Sequence, residues 1–166
     1  VQLSDTAGAA NRTFAVAAGG TLTVSVPIVD GAATPGSITK SGAGTLLLSS
    51  MNTYSGTTDV NGGVLQLQGG DAINNTAGAV SVGLGGTLQL LANETVSSYV
   101  GAGDGVGTND GTLNLAGFTF TTTGSMALGN VTTTTGGSLV AGGSITDNDD
   151  DNNVTGTNLV LTAASG

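Results

Sequence analysis

Short apolar runs alternate with glycine and polar residues along the whole chain. The runs are four to seven residues long, rich in Val, Leu, Ile and Thr, and separated by Gly, Asn, Asp and Ser. This arrangement is typical of short β-strands joined by tight turns. No segment has the 3.6-residue apolar period of an amphipathic helix. The pattern therefore predicts an all-β protein, and the clearest predicted strands cover residues 21–26, 45–49, 64–68, 87–91, 112–115 and 158–162.

One phrase recurs seven times: a glycine, a small or polar residue, and a leucine that begins a strand. The seven leucines are Leu22, Leu46, Leu65, Leu88, Leu113, Leu139 and Leu159. In six repeats the glycine lies two residues before the leucine, and in the last repeat Gly156 lies three residues before it. The intervals run from 19 to 26 residues. A near-constant interval of this size indicates a solenoid, in which each coil returns the chain to the same side.

A second, weaker strand is predicted before each leucine phrase. Its apolar markers are Val16, Ile38, Val60, Val82, Val106, Val131 and Val154. Each leucine is expected to stack on the leucine of the next coil, with Thr21, Thr45, Thr87 and Thr112 facing outward as a hydroxyl stripe. Because neighbouring strands lie about 4.8 Å apart, seven coils would form a rod of roughly 34 Å.

The composition restricts the kinds of partner that the protein can have. The net charge is −9, and Arg12 and Lys40 are the only cationic side chains. Such a chain repels phosphate backbones and anionic lipids, so we expect it to bind neither nucleic acid nor membrane surfaces. No apolar run approaches the roughly 18 residues of a membrane span, which predicts no membrane insertion of this segment. The absence of Cys and His removes disulfides and the commonest general base and metal ligand.

The length suits one domain, and we expect residues 1–166 to form a single β-helical repeat domain. The sequence begins at Val1 and has no recognisable signal peptide. We therefore expect a processed chain, or a segment or subunit of a longer assembly.

Residues 42–67 carry the most specific motif. It consists of Gly44-Thr45-Leu46, a stretch from Asn52 to Thr58 that reads Asn-Thr-Tyr-Ser-Gly-Thr-Thr, and residues 60–63 followed by Leu65 and Leu67. This segment resembles the autotransporter-associated β-strand repeat of bacterial surface proteins. Met51 stands where that repeat commonly has Gly, and Val64 where Thr is usual. From residue 92 onward the sequence is more similar to large filamentous-haemagglutinin-like adhesins.

The resemblance implies a right-handed parallel β-helix, here of about seven coils, that is exported to the bacterial cell surface. It also implies structural or adhesive work rather than catalysis, with a host or cell-surface glycan or protein as receptor. The translocator barrel or other secretion signal that normally accompanies such proteins is not visible in this sequence.

The acidic run at residues 147–153 is the sharpest charge feature. Asp147, Asp149, Asp150 and Asp151 are a candidate Ca²⁺ site, because this cation takes six to eight oxygen ligands. The run lacks EF-hand spacing, and a solvated turn between Ile145 and Val154 is the simpler explanation. We expect no other cofactor.

Other candidate chemistry is weaker. Residues 101–106 have the glycine and aspartate content of a Ca²⁺-binding β-roll repeat, but only one irregular copy is present. The threonine runs at residues 121–123 and 132–135 could form a hydroxyl array for a glycan, although strand propensity also accounts for them. A β-helical carbohydrate-active enzyme is a distant alternative, since Arg12 and Lys40 lie far in sequence from the acidic run.

A β-helix has unpaired backbone groups at its two ends, and open strand edges recruit further strands unless they are covered. Two functions follow. In one, the chain is a segment of a long adhesin or autotransporter passenger, and flanking repeats cover the ends. In the other, the chain is a subunit of an extracellular filament and associates with itself through its ends.

Overall fold

The computed structural model describes residues 4–5, 8–9, 11–31, 35–75, 77–103, 110–148 and 154–164. All regular structure in these residues is β. A short antiparallel pair comes first, made of β1 (Ser4–Asp5) and β2 (Gly8–Ala9). Every other strand pair is parallel and belongs to one of three sheets. No helix in the described part of the chain could cross a membrane.

Sheet 1 and sheet 2 each have seven strands and run the length of the molecule. Sheet 1 contains β3 (Arg12–Ala15), β5 (Ile38–Ser41), β7 (Thr58–Val60), β9 (Ala79–Val82), β12 (Ser98–Gly101), β15 (Met126–Leu128) and β18 (Ile145–Asp147). Sheet 2 contains β4 (Thr21–Val24), β6 (Thr45–Leu48), β8 (Gly63–Leu67), β10 (Gly86–Leu90), β13 (Thr112–Asn114), β16 (Asn130–Thr133) and β19 (Val154–Gly156).

Sheet 3 is shorter and begins only in the fourth coil. Its strands are β11 (Glu94–Val96), β14 (Thr119–Thr122), β17 (Gly137–Ala141) and β20 (Leu159–Ala163). The chain therefore alternates between sheets 1 and 2 at first, and then visits sheets 1, 2 and 3 in turn. The fold is a parallel β-solenoid. The described strands make about six turns rather than the seven coils expected, because seven levels are separated by six steps.

The predicted leucine stack is present in the first five levels of sheet 2. Leu22 pairs with Leu46, Leu46 with Leu65, Leu65 with Leu88, and Leu88 with Leu113. The four inner leucines of this column, from Leu46 to Leu113, are fully buried. The threonines that precede these leucines, including Thr45 and Thr112, point outward, as expected, because successive side chains of a strand lie on opposite faces. Val64 interrupts that outward stripe.

The stack does not continue to Leu139 and Leu159, and this part of the prediction was wrong. Leu113 pairs instead with Val131, and Val131 with Val154, so two residues expected in the weaker strands complete the sheet 2 column. Leu139 lies in sheet 3 between Phe120 and Leu161, and Leu159 pairs with Gly137. The Gly-x-Leu phrase marks a strand that follows a glycine turn, and from the fifth coil onward the strands of sheet 3 follow such a turn as well as those of sheet 2. Val106 lies outside the described residues.

The interior is a single apolar core of stacked columns. Sheet 1 contributes one column that includes Ile38, Val80, Tyr99 and Met126, with the Tyr99 ring edge-to-face on Phe120 of sheet 3 at a centroid distance of 5.4 Å. These side chains are buried because each coil of the solenoid covers the apolar face of the next coil.

Candidate functional site: the polar groups inside the solenoid

The third side of the early coils is built from irregular chain rather than from a sheet. Residues 25–31, 49–57 and 68–75 occupy this side before sheet 3 begins. Irregular backbone leaves N–H and C=O groups without ladder partners, and buried groups of this kind need other partners. Asn52 and Glu94 supply them. We call these two side chains, with the backbone groups that they bind, the polar ladder.

Asn52 connects three successive coils. Its Oδ1 accepts a hydrogen bond from the Ile28 amide at 2.8 Å, and its Nδ2 donates to the Ala72 carbonyl at 2.6 Å. The Asn52 amide also donates to the Asp71 carbonyl at 3.0 Å. Asn52 is buried, with 4% of its surface exposed. A carboxamide suits this position because it offers an acceptor to one coil and a donor to the other.

Glu94 continues the ladder into the next coil. Its two carboxylate oxygens accept hydrogen bonds from the Ala72 and Ile73 amides, each at 3.1 Å. Glu94 is also buried, and it occupies the inward position next to Phe120. Burial raises the pKa of this carboxyl to about 7, and the nearby charge of Asp71 acts in the same direction, while the two amide hydrogen bonds oppose the shift.

Two further contacts fix the corner formed by residues 52–58. The Tyr54 hydroxyl lies 2.6 Å from Thr58 Oγ1, and burial of the Tyr54 ring raises the pKa of its phenol. Asp30 accepts hydrogen bonds from the Ser55 hydroxyl and from the amides of Ser55 and Gly36. Partial burial would raise the pKa of Asp30, but these three hydrogen bonds outweigh it and leave the pKa below its ordinary value. The motif residues are thus used to join coils.

Lys40 is an internal cation at the opposite corner of the coil. It is fully buried, and its Nζ donates to the carbonyls of Ser41, Gly42 and Gly62 at 2.9, 2.7 and 2.9 Å. Burial lowers the pKa of this amine. Since Gly62 belongs to the next coil, the ammonium group ties two successive glycine turns together. All three of its protons are used, so Lys40 has no spare donor for a ligand.

The candidate Ca²⁺ site is only partly covered by the structure. Asp147 is exposed at the end of β18, where it pairs with Leu128. Asp149, Asp150 and Asp151 lie outside the described residues, so the site stays a prediction. Within the part of the chain that the structure describes, no three Asp or Glu side chains come close enough to hold a metal ion. Residues 104–106 of the glycine-rich loop at residues 101–106 also lie outside the described residues.

The threonine runs do not form one flat hydroxyl array. Residues 121–123 begin in sheet 3 and residues 132–135 begin in sheet 2. Thr122 and Thr133 point inward and are buried, with 1% and 2% of their surfaces exposed. Strand alternation therefore divides each run between the core and the surface, which argues against a continuous glycan-binding row there.

Sequence reasoning overlooked three buried polar side chains, those of Lys40, Asn52 and Glu94. Lys40 follows Ile38 by two residues in one strand, so the period of two already placed its side chain on the inner face. Glu94 precedes Val96 by two residues in β11, so the same period applies to it. Asn52 lies in an irregular segment, where no such period exists. Their roles depend on contacts between coils, which a single repeat does not reveal.

Comparison with known proteins agrees with the repeat motif. Residues 38–67 match the family described as passenger-associated-transport repeat. A segment of 91 residues, 54% of this chain, is 41% identical to the protein named adhesin BmaC autotransporter of Brucella suis biovar 1 (strain 1330). The chain spans only 2% of the length of that adhesin. The resemblance predicted from residues 42–67 is thereby confirmed, while the likeness of the later residues to filamentous haemagglutinins stays a prediction. Residues 38–67 of this chain are thus similar in sequence to an autotransporter passenger repeat.

Proposed function

We propose that this chain is a section of the rigid rod of an autotransporter adhesin passenger, displayed outside the bacterial cell, and that it performs no enzymatic reaction. One observation carries the proposal. The passenger-repeat match at residues 38–67 covers two consecutive levels of the solenoid that stack in register in both sheets, and its motif residues hold neighbouring coils together.

The use of the buried polar groups supports a structural role. Asn52, Glu94 and Lys40 are the kinds of side chain from which a catalytic site is made, but each is buried and bound to backbone groups. A catalytic group must reach the substrate. These groups instead satisfy the irregular backbone of the third side and the glycine turns, as a stiff rod requires.

The proposal includes finer points of architecture and partnership. The coils wind in a right-handed sense, the sense strongly favoured when parallel strands in one sheet are joined by a crossover. Flanking repeats continue sheets 1 and 2 at the N-terminal end and all three sheets at the C-terminal end, in keeping with the far greater length of the related adhesin. The ligand of the whole protein is a glycan or protein on another cell, contacted elsewhere along the rod or on its outer faces.

Surface display is tested with an epitope inserted between Gly69 and Gly70 of the natural full-length protein. Gly69 is exposed and Gly70 is half-buried in the bend after β8, and a side chain added at Gly69 would meet no atom within 4 Å. We expect an antibody to label intact bacteria as strongly as permeabilised ones. Labelling that requires permeabilisation would overturn the proposed location.

The rod itself is tested by negative-stain electron microscopy of the purified chain. Six steps of about 4.8 Å give an expected length of roughly 29 Å for the stacked part of a single particle. Discrete short rods support a passenger segment whose ends are completed by flanking repeats. Long fibres that grow with protein concentration would support a self-assembling filament subunit instead. Particles without a rod shape would contradict both functions.

A further inference from the structure

The Glu94 carboxylate lies inside the solenoid, where the two-sheet part of the molecule meets the three-sheet part. It accepts hydrogen bonds from the Ala72 and Ile73 amides. Residues 71–75 have no strand structure, so these two amides have no sheet ladder to bind them. The Glu94 carboxyl group therefore binds this irregular segment to the next coil.

The surroundings of the Glu94 carboxylate are negatively charged. Asp71, from the attached segment, adds a second negative charge, and the Asp71 side chain accepts a hydrogen bond from Asn75 Nδ2 at 2.5 Å. Tyr54, two coils before Glu94, is close enough to interact electrostatically with it, and Phe120 of the following coil is uncharged. Of the two cations in the sequence, Lys40 is bound to the carbonyls of residues 41, 42 and 62, and Arg12 belongs to β3, the first strand of sheet 1.

We propose that Glu94 makes the third side of the solenoid sensitive to pH, so that residues 71–75 are held most tightly in acid and open more often towards neutral and alkaline pH. In the closed state residues 72 and 73 are bound to Glu94, and its carboxyl group is buried beside Asp71. In an opened state it is solvated and has its ordinary acidity. The opening reaction therefore releases a proton between the two pKa values, and rising pH drives it forward.

The direction follows from linkage. The folded-state pKa of Glu94 is raised from 4.5 to about 7. Its contribution to closure is complete below 4.5 and is lost as the pH rises through 7. The opening equilibrium should increase about tenfold per pH unit across this interval and then level off, because one proton is released for each opening.

The titration can be read from a single signal, because Glu94 is the only glutamate in the sequence. In protein labelled with ¹³C at the glutamate carboxyl, we expect one NMR resonance that titrates with a midpoint near 7. A midpoint at the ordinary value of 4.5 would overturn the proposal. The variant Asp71→Asn retains an oxygen acceptor for Asn75 and removes the negative charge, so it should lower the midpoint.

Opening is measured by hydrogen exchange of the Ala72 and Ile73 amides, corrected for the intrinsic pH dependence of exchange. We expect their protection to fall with pH in the wild-type protein and to be independent of pH in Glu94→Gln. The amides of Leu65 and Leu67, in sheet 2, serve as an internal control that should not follow this trend. Flat wild-type protection, or an unchanged pH dependence in Glu94→Gln, would overturn the proposal. If that variant fails to fold, the wild-type carboxyl titration and Asp71→Asn still decide the question.

Discussion

Asn52 and Glu94 bind the backbone of one residue, Ala72, from opposite directions along the solenoid. Asn52 Nδ2 donates to the Ala72 carbonyl, and Glu94 accepts from the Ala72 amide. Two side chains that are 42 positions apart in sequence thus hold the same irregular segment between them. Hydrogen bonds between sheet strands cannot do this work, because sheet 3 has not yet begun at this level.

Replacing Asn52 should therefore be costly. In Asn52→Ala the Ile28 amide and the Ala72 carbonyl lose their buried partner, and we expect the free energy of unfolding to fall by roughly 2–4 kcal/mol. Asn61→Ala is the matched control, since Asn61 is exposed in a turn and its loss should change stability by less than about 0.5 kcal/mol. Urea denaturation followed by circular dichroism measures both. Equal effects of the two substitutions would refute the structural role of Asn52.

The variant Lys40→Met tests the internal cation. At neutral pH we expect a loss of roughly 2 kcal/mol, because three turn carbonyls lose their donor although an apolar side chain is easier to bury. The pKa of Lys40 is lowered from 10.5 by burial. The unfolded state therefore binds more protons between the two pKa values, and the wild-type protein should gain stability relative to Lys40→Met as the pH rises towards 10.5.

The two denaturation curves are best compared at neutral and at mildly alkaline pH. Tyr54 and Tyr99 are buried in both proteins, so their ionisation on unfolding cancels in the difference. A difference between wild type and Lys40→Met that shrinks as the pH rises would contradict the assigned cause of the shift.

Gly63 combines a left-handed backbone with a close contact between coils. Its φ is 62°, and an added Cβ would lie 2.4 Å from the Gly44 carbonyl oxygen. Gly85 has a similar φ of 72° but nothing within 4 Å of an added Cβ. We expect Gly85→Ala to cost about 1–2 kcal/mol from backbone strain alone. Gly63→Ala should cost about 3 kcal/mol or more, since the backbone contact adds overpacking.

Thermal denaturation of these two variants separates the contributions. The difference between their melting temperatures isolates the contact between coils, because the backbone strain is common to both. If Gly85→Ala proved as destabilising as Gly63→Ala, the contact between coils would add nothing to the cost of a side chain at residue 63.

The register of sheet 2 is tested at two adjacent residues of β16. Val131 points into the core between Leu113 and Val154, whereas Thr132 faces outward beside Asn114. We expect Val131→Asp to unfold the later coils, since it buries an unpaired charge, and Thr132→Asp to change stability by about 1 kcal/mol or less. Limited proteolysis and circular dichroism distinguish the two results. The opposite pattern would mean that Thr132, rather than Val131, faces the core, and would contradict this register.

The spacing of the leucine phrase was enough to predict the solenoid and the first five levels of sheet 2, because each of those coils has one Gly-x-Leu phrase and it lies in sheet 2. It could not assign Leu139 to a side, since sheet 3 uses the same glycine turn and the same alternation of inward and outward residues. The contacts that hold the irregular third side were still harder to predict from the sequence. Asn52 and Glu94 are defined by partners 20 to 24 residues away, and local sequence carries no signal for such contacts.

The burial of Lys40 has a consequence for survival outside the cell. Digestive and host proteases of the trypsin class cut only after Lys or Arg, and the sequence has two such residues. One of them is enclosed in the core, and the other, Arg12, is half-buried in the first strand of sheet 1. A folded rod of this composition therefore offers these enzymes almost no point of attack over the rest of its length.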